Sequence, residues 1–161
     1  MKGKECTAKW SHIIDLYNRC PDYRGVKLVP KLTAYHVLPN LIPKIRVKHC
    51  TQVFSQSVGV GFACMVELGA VDKSSYETAD LLSFFDDLFD SMNGSFSDIT
   101  GGKMYCAAVT PISPHHDLWN YSIPILKSMK FVSSNSQGVV SSLSSWIKTI
   151  ESFKNILKCL N

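Results

Sequence analysis

The 161-residue sequence has few of the features that mark a metal-binding or disulfide-stabilised protein. Its six cysteines lie far apart without a C-x-x-C pair, and no Cys/His group has the spacing of a zinc site. His115 and His116 are adjacent, so on a regular element they point in different directions. The sequence therefore predicts free, mostly buried thiols in a reducing compartment, and no metal site made by protein ligands alone.

Long apolar segments are also missing. The longest apolar run covers residues 58–66 and contains two glycines, whereas a helix needs about 20 apolar residues to span a bilayer. The N-terminal segment MKGKECTAKWSH lacks the apolar core of a signal sequence. We expect a soluble intracellular protein that does not bind membranes.

The common motifs of nucleotide and hydrolase sites are absent. The sequence has no G-x-x-x-x-G-K-[ST], no Asn-Lys-x-Asp and no G-x-S-x-G. The net charge of +4 is mild, and the basic residues are spread out apart from a small concentration at Lys44, Arg46 and Lys48. Such a distribution permits contact with phosphates but is not the footprint of a duplex DNA-binding protein. Composition and motifs alone predict no more than a helical domain.

Helical periodicity is what the sequence does contain. A length of 161 residues fits one compact domain, and 45% of the residues are hydrophobic. Apolar spacing predicts five helical stretches, and residues 104–109 form at most one short strand or extended segment. The predicted helices cover residues 10–17, 44–68 with an alternative break near Gly59, 74–93, 117–129 with a bend or division at Pro124, and 140–160. We therefore expect an all-α fold, a compact bundle of about five helices within a single domain over residues 1–161.

The third of these helices contains the segment SFFDDLFDSMNGS at residues 83–95. Asp86 and Asp87 are interpreted as surface charges. Asp90 and Asn93 lie one turn apart near the end of the helix, and from the residues alone they are best interpreted as capping and solvating groups. The apolar residues recur at helical spacing and predict a buried stripe formed by Phe85, Leu88, Phe89 and Met92.

Several segments resemble P-element-type transposases and the related THAP-domain transposases. They begin with K-L-T-x-x-H-V at 31–37 and K-I-R-V-K-H-C-T-Q-V-F-S-Q-S-V at 44–58, and continue with T-A-D-L-L-S-F-F-D-D-L-F-D-S-M-N-G-S at 78–95. S-P-H-H-D-L-W, I-P-I-L-K-S-M-K-F and S-W-I-K-T-I-E-S-F follow in the same order. The resemblance covers nearly the whole chain. It implies a mainly helical GTP-binding domain inserted into an RNase H-like catalytic domain.

The resemblance also implies a binding site made of Lys31, Val47, Asp90 and Asn93. A carboxylate such as Asp90 accepts hydrogen bonds from N1–H and from the exocyclic amine of guanine, and Asn93 is suited to the base or the ribose. Lys31 neutralises phosphate oxygens as a point charge, and Val47 supplies its backbone or an apolar wall. Lys44, Arg46 and Lys48 are further candidates for phosphate contact, but solvated surface charge is the expected role of at least two of them.

The expected cofactor is GTP, with any Mg²⁺ carried by the nucleotide. In the family GTP supports assembly of transposase with transposon DNA, which makes transposon DNA a partner in the full-length context; self-association of the chain is left open.

Strand transfer needs three carboxylates that hold two metal ions, and the resemblance places them before and after the inserted domain. We expect this chain to lack all three and not to act as an enzyme, and we expect a nuclear location. The alternative is a helical protein-interaction domain or domesticated remnant that no longer binds nucleotide.

Overall fold

The computed structural model describes residues 6–20, 27–38, 40–42, 47–94, 103–130, 132 and 143–159, and residues 157–159 are described by their backbone alone. The regular secondary structure within these ranges is helical, and they contain no β-strand. The α-helices are α1 (Trp10–Arg19), α2 (Ala34–Val37), α3 (Val47–Val53), α4 (Gln56–Glu67), α5 (Ser75–Met92), α6 (His115–Ser128) and α7 (Ser144–Cys159). A short 3-10 helix covers Met104–Cys106, where the sequence predicted a strand or extended segment. The all-α prediction is confirmed.

The chain divides into two compact units, the first unit at Met1–Asp87 and the second unit at Leu88–Asn161. Helix α5 runs across this boundary, so its first turns belong to the first unit and its C-terminal end to the second. The expectation of a single domain over residues 1–161 stays a prediction. No helix within the described ranges is long and apolar enough to cross a membrane.

The core of the first unit forms where apolar positions of several helices recur with helical spacing. On α1 the buried residues are His12, Ile13 and Leu16, which share one face of the helix. Leu16 packs into the same cluster as Phe62 and Met65 of α4, and all three are fully buried. Burial of these side chains is the main force that holds the short helices together, since helices of this length are marginal alone.

The long helix predicted from residue 44 is divided, and the break lies at Phe54 and Ser55, not at Gly59. Ser55 has an extended backbone (φ −140°, ψ 148°) and its hydroxyl donates to the carbonyl of Gln52 over 3.0 Å. The Asp86 carboxylate accepts the backbone N–H of Gln56 over 3.0 Å at the start of α4. A carboxylate at this position stabilises a helix N-terminus.

The interpretation of Asp86 as a surface charge was wrong, because Asp86 is only 7% exposed and bonds to the start of α4. Small residues inside α4 let a neighbouring segment approach the helix closely. A Cβ atom at Gly61 would lie 2.6 Å from Cγ2 of the buried Val29. The glycines that looked like a break point are instead close-packing positions within a continuous helix.

In the second unit, α6 and α7 pack against each other around Trp119, which is fully buried. Its indole Nε1 donates to the Ser91 hydroxyl over 2.9 Å, and its ring stacks on Phe153 with centroids 6.0 Å apart and planes 22° apart. Helix α6 continues through Pro124 and is not divided there. The indole thus links α6 to the C-terminal end of α5 and to α7 with one side chain.

Candidate functional site

The C-terminal end of α5 brings Asp90 and Asn93 together, as the sequence predicted. The Asp90 side chain is 15% exposed, and its Oδ2 atom accepts a hydrogen bond from the Lys103 ammonium over 2.6 Å. Asn93 is exposed, and its backbone N–H donates to the carbonyl of Asp90 over 3.1 Å. The two polar side chains therefore lie at one helix end, within one turn of each other.

The capping interpretation applies to Asn93 but not to the Asp90 side chain. Asn93 Nδ2 donates to the carbonyl of Phe89 over 2.8 Å, and this carbonyl lies in the last turn, where the regular helical partners run out. The amide group of Asn93 still presents its oxygen and its second N–H. The Asp90 carboxylate is held by a lysine, which makes it an ion-paired acceptor that is largely shielded from water.

Lys103 belongs to this site, although sequence reasoning missed it. It directly precedes the 3-10 helix, and its carbonyl accepts the backbone N–H of Cys106 over 3.0 Å. The 3-10 helix is held in place by His115, which is fully buried and whose Nε2 lies 3.0 Å from the carbonyl of Tyr105. A lysine after two glycines carries no periodic signal, so only the tertiary structure reveals that it reaches Asp90.

Gly94 permits the approach of this segment to the end of α5. A Cβ atom at Gly94 would lie 2.8 Å from the backbone oxygen of Ala107 and 3.6 Å from that of Cys106. Contacts below 3.0 Å force a displacement, and a backbone oxygen moves less easily than a side-chain end. The glycine of the N-G-S sequence is thus required for close approach.

We expect Gly94→Ala to lower the free energy of unfolding by about 1–3 kcal/mol, because the added methyl group overpacks this contact. Urea denaturation followed by circular dichroism measures the change. Gly59→Ala is the matched control: its Cβ would meet the Ser83 hydroxyl at 2.6 Å, and a hydroxyl can rotate while alanine favours the helix by about 1 kcal/mol. Equal losses in the two variants would contradict the close approach at Gly94.

Lys31 and Val47, the other two predicted site residues, lie in the first unit. Lys31 is exposed and precedes α2, and Val47 is the first residue of α3 with 72% of its surface exposed. Lys48 is exposed on α3, whereas the prediction for Lys44 and Arg46 lies outside the described residues. The side chains of Lys31 and Val47 are accessible to a ligand from solution.

A histidine network connects the segment that carries Lys31 to the helix that carries Val47. His36, 5% exposed, accepts the backbone N–H of Thr33 at its Nδ1 over 3.0 Å. Its Nε2 lies 2.8 Å from Gln52 Oε1 and 3.0 Å from His49 Nδ1. Because Thr33 follows Lys31 by two residues and His49 follows Val47 by two, these bonds fix the two segments against each other. His36 is thus a packed histidine that also contributes to the capping box of α2.

The two adjacent histidines bond to different groups. His115 contacts Tyr105 and Ser113, and His116 Nε2 lies 2.9 Å from the carbonyl of Thr110. Among the side chains that the structure describes, no three His, Cys, Asp or Glu residues are grouped as metal ligands. Cys6, Cys20, Cys50, Cys64 and Cys106 carry free thiols.

A cavity of about 420 Å³ lies in the first unit, and its lining includes none of the four predicted site residues. Arg19 and Asp72 contribute charged groups to it, and Arg19 Nη1 donates to the carbonyl of Ala70 over 3.0 Å. Hydrogen bonds from Ser74 lower the pKa of the exposed Asp72 carboxyl. Ala70 and Ser74, the partners of these two charged groups, lie between α4 and α5. Arg19 and Asp72 therefore have a structural role at the start of α5.

The model of the family "TNP-like, GTP-binding insertion domain" matches residues 1–101, more than half of the chain. The chain belongs to this family. The insertion domain also resembles a solved structure, the "Drosophila P element transposase strand transfer complex", with a TM-score of 0.77 and 21% sequence identity. That match covers 99% of this chain and 35% of the other chain, and at this identity it establishes the fold. Among curated proteins there is no match.

The insertion domain is thus similar to about a third of the length of the transposase chain that it matches. The family is an insertion domain of a transposase and not its catalytic core. The predicted family, P-element-type transposases with a GTP-binding insertion, is confirmed.

Proposed function

We propose that this insertion domain binds GTP through Lys31, Val47, Asp90 and Asn93. Any Mg²⁺ arrives with the nucleotide phosphates and is not held by a separate group of protein ligands. Nucleotide binding supports the assembly of transposase with transposon DNA, and the domain does not itself catalyse strand transfer. Because the proposed partner is transposon DNA, the proposed location of the protein is the nucleus.

The observation that carries the proposal is the Asp90 carboxylate at the end of α5. It is largely buried at 15% exposure, yet it lies at a helix end where a base has access to Asn93 as well. The N1–H and exocyclic amine of guanine complement a carboxylate, whereas adenine has an acceptor at N1. Partial burial strengthens charge-assisted hydrogen bonds relative to those in water. The end of α5 therefore fits guanine better than adenine.

Lys31 and Val47 of the first unit have side chains whose chemistry suits a nucleotide. Lys31 is exposed, and its ammonium is a mobile point charge of the kind that neutralises phosphate oxygens. The exposed apolar side chain of Val47 offers a surface for the ribose or the base. The histidine network described above supports this assignment, because it fixes the segments that carry both residues.

Equilibrium titration of the purified chain with labelled GTP and ATP tests the proposal. We expect selective GTP binding, and we expect Asp90→Ala to weaken it by roughly a hundredfold or more, because two hydrogen bonds to a charged group are lost. Asp80→Ala is the control, since Asp80 is an exposed aspartate on the same helix. This variant should bind GTP as the unaltered chain does.

Absence of GTP binding at millimolar concentration would contradict the proposal for this chain. Equal weakening by Asp80→Ala and Asp90→Ala would also contradict it, because it would indicate an effect that is not specific to the C-terminal end of α5. In either case the helical protein-interaction domain becomes the better description of the function.

A further inference from the structure

The ion pair between Lys103 and Asp90 has a chemical consequence for base recognition. The Lys103 ammonium donates to Asp90 Oδ2 over 2.6 Å, and a lysine ammonium can form hydrogen bonds to more than one acceptor. The Lys103 side chain is 42% exposed and the Asp90 side chain 15% exposed, so the lysine is the more accessible of the two. A ligand that bonds to Asp90 Oδ2 therefore lies close to the Lys103 ammonium as well.

The hydrogen-bonding edge of guanine has three groups, and a carboxylate satisfies only two of them. N1–H and the exocyclic amine are donors, and O6 beside them is an acceptor that needs a donor from the protein. We propose that Lys103 donates to guanine O6 and is a specificity-determining residue of the site. Adenine has an amino group at the corresponding position, which a cationic donor repels. This inference rests on the proposed function, because it assigns a role within the same site.

The fold gives Lys103 a fixed backbone and a movable side chain, as this role requires. Its carbonyl accepts from Cys106, and the following turn is held by the buried His115 and by the close approach at Gly94. The lysine side chain has four methylene groups, so the ammonium can shift toward a base while the backbone stays in place.

Lys103 does not need to leave Asp90 when guanine binds. Each carboxylate oxygen has two acceptor positions, so one oxygen can accept from the ammonium and from N1–H at the same time. The lysine thus bridges the carboxylate and O6 and is not a group that blocks the site. Its charge also offsets the cost of holding a carboxylate at a shielded position.

The test compares nucleotide affinities of the full chain and of Lys103→Met, which keeps the length of the side chain and removes the charge. We expect GTP binding to weaken by roughly tenfold to a hundredfold, the usual effect of losing a charged hydrogen bond. ATP binding should not weaken, so the preference for GTP over ATP narrows. Inosine triphosphate keeps N1–H and O6 and lacks only the exocyclic amine, so its affinity should fall in Lys103→Met as that of GTP does.

Two variants serve as controls. Lys127→Met removes an exposed lysine of the same unit, paired with Glu151 over 3.3 Å, and should leave all affinities unchanged. Lys103→Arg keeps a cationic donor and should retain most of the preference for GTP. Circular dichroism of each variant verifies that the helices are intact.

Unchanged or tighter GTP binding by Lys103→Met overturns the inference while the proposed function stands, and tighter binding would identify a blocking lysine. An equal loss of affinity for GTP and ATP also overturns it, because that result indicates general attraction to phosphates. If the unaltered chain does not bind GTP, the proposed function fails and this inference fails with it.

Discussion

Replacing Trp119 with alanine is expected to lower the free energy of unfolding by about 3–5 kcal/mol. The indole is fully buried, stacks on Phe153 and donates to Ser91. Its removal leaves a cavity in the second unit and takes one donor from the Ser91 oxygen, whose hydroxyl still donates to the carbonyl of Leu88. Ser91 adjoins Asp90 in the sequence, and loss of this support should also weaken GTP binding. Urea denaturation of the variant measures the first effect and nucleotide titration the second.

Trp119→Phe separates the two contributions of the indole. Phenylalanine keeps most of the packing against Phe153 but lacks the Nε1 donor, so we expect a loss of only about 1–2 kcal/mol. A similar loss for phenylalanine and alanine would indicate that the hydrogen bond to Ser91 dominates and that the cavity contributes little. Loss of less than about 1 kcal/mol for Trp119→Ala would contradict the burial described above.

Phe62→Ala is expected to destabilise the first unit by a similar amount, about 3–5 kcal/mol. Phe62 is fully buried in α4, within the cluster that includes Leu16 of α1, so truncation leaves a cavity bordered by two helices. Denaturation followed by circular dichroism measures this change too.

Val60→Ala provides a control on the same helix. Val60 is 61% exposed, so its truncation should change the stability by no more than about 0.5 kcal/mol. A larger loss for Val60→Ala than for Phe62→Ala would mean that α4 buries the opposite face. The pair therefore tests the orientation of α4 as well as the size of the cavity.

The candidate site shows how far sequence reasoning reaches. Periodicity placed Asp90 and Asn93 near the end of α5, and by itself it favoured capping, which Asn93 does perform toward Phe89. The resemblance to P-element-type transposases singled out both residues as nucleotide contacts. Their contact with GTP stays a prediction, as do those of Lys31 and Val47.

Two errors have the same physical cause. Asp86 looked like a surface charge because it adjoins Asp87 in a polar pair, and residues 44–68 looked like one helix because their apolar residues continue without a strong stop signal. Asp86 instead bonds to the N-terminus of α4, thirty residues away in the sequence, where the chain bends at Ser55. A contact between distant segments leaves no trace in local spacing, so propensity and periodicity cannot reveal it.

The sequence by itself determined the helical class and the approximate positions of the long helices, because these follow from short-range spacing of apolar residues. The buried stripe predicted on α5 was only partly right, since Leu88 is buried but Phe84 is buried in place of Phe85. Phe85, Phe89 and Met92 are only half-buried. Tertiary structure alone decided where α3 and α4 separate and which carboxylate stabilises the start of α4. It also decided that Lys103 pairs with Asp90, which precedes it by thirteen residues in the sequence. Helices are encoded locally, whereas partners of charged groups depend on which distant segments the hydrophobic core brings together.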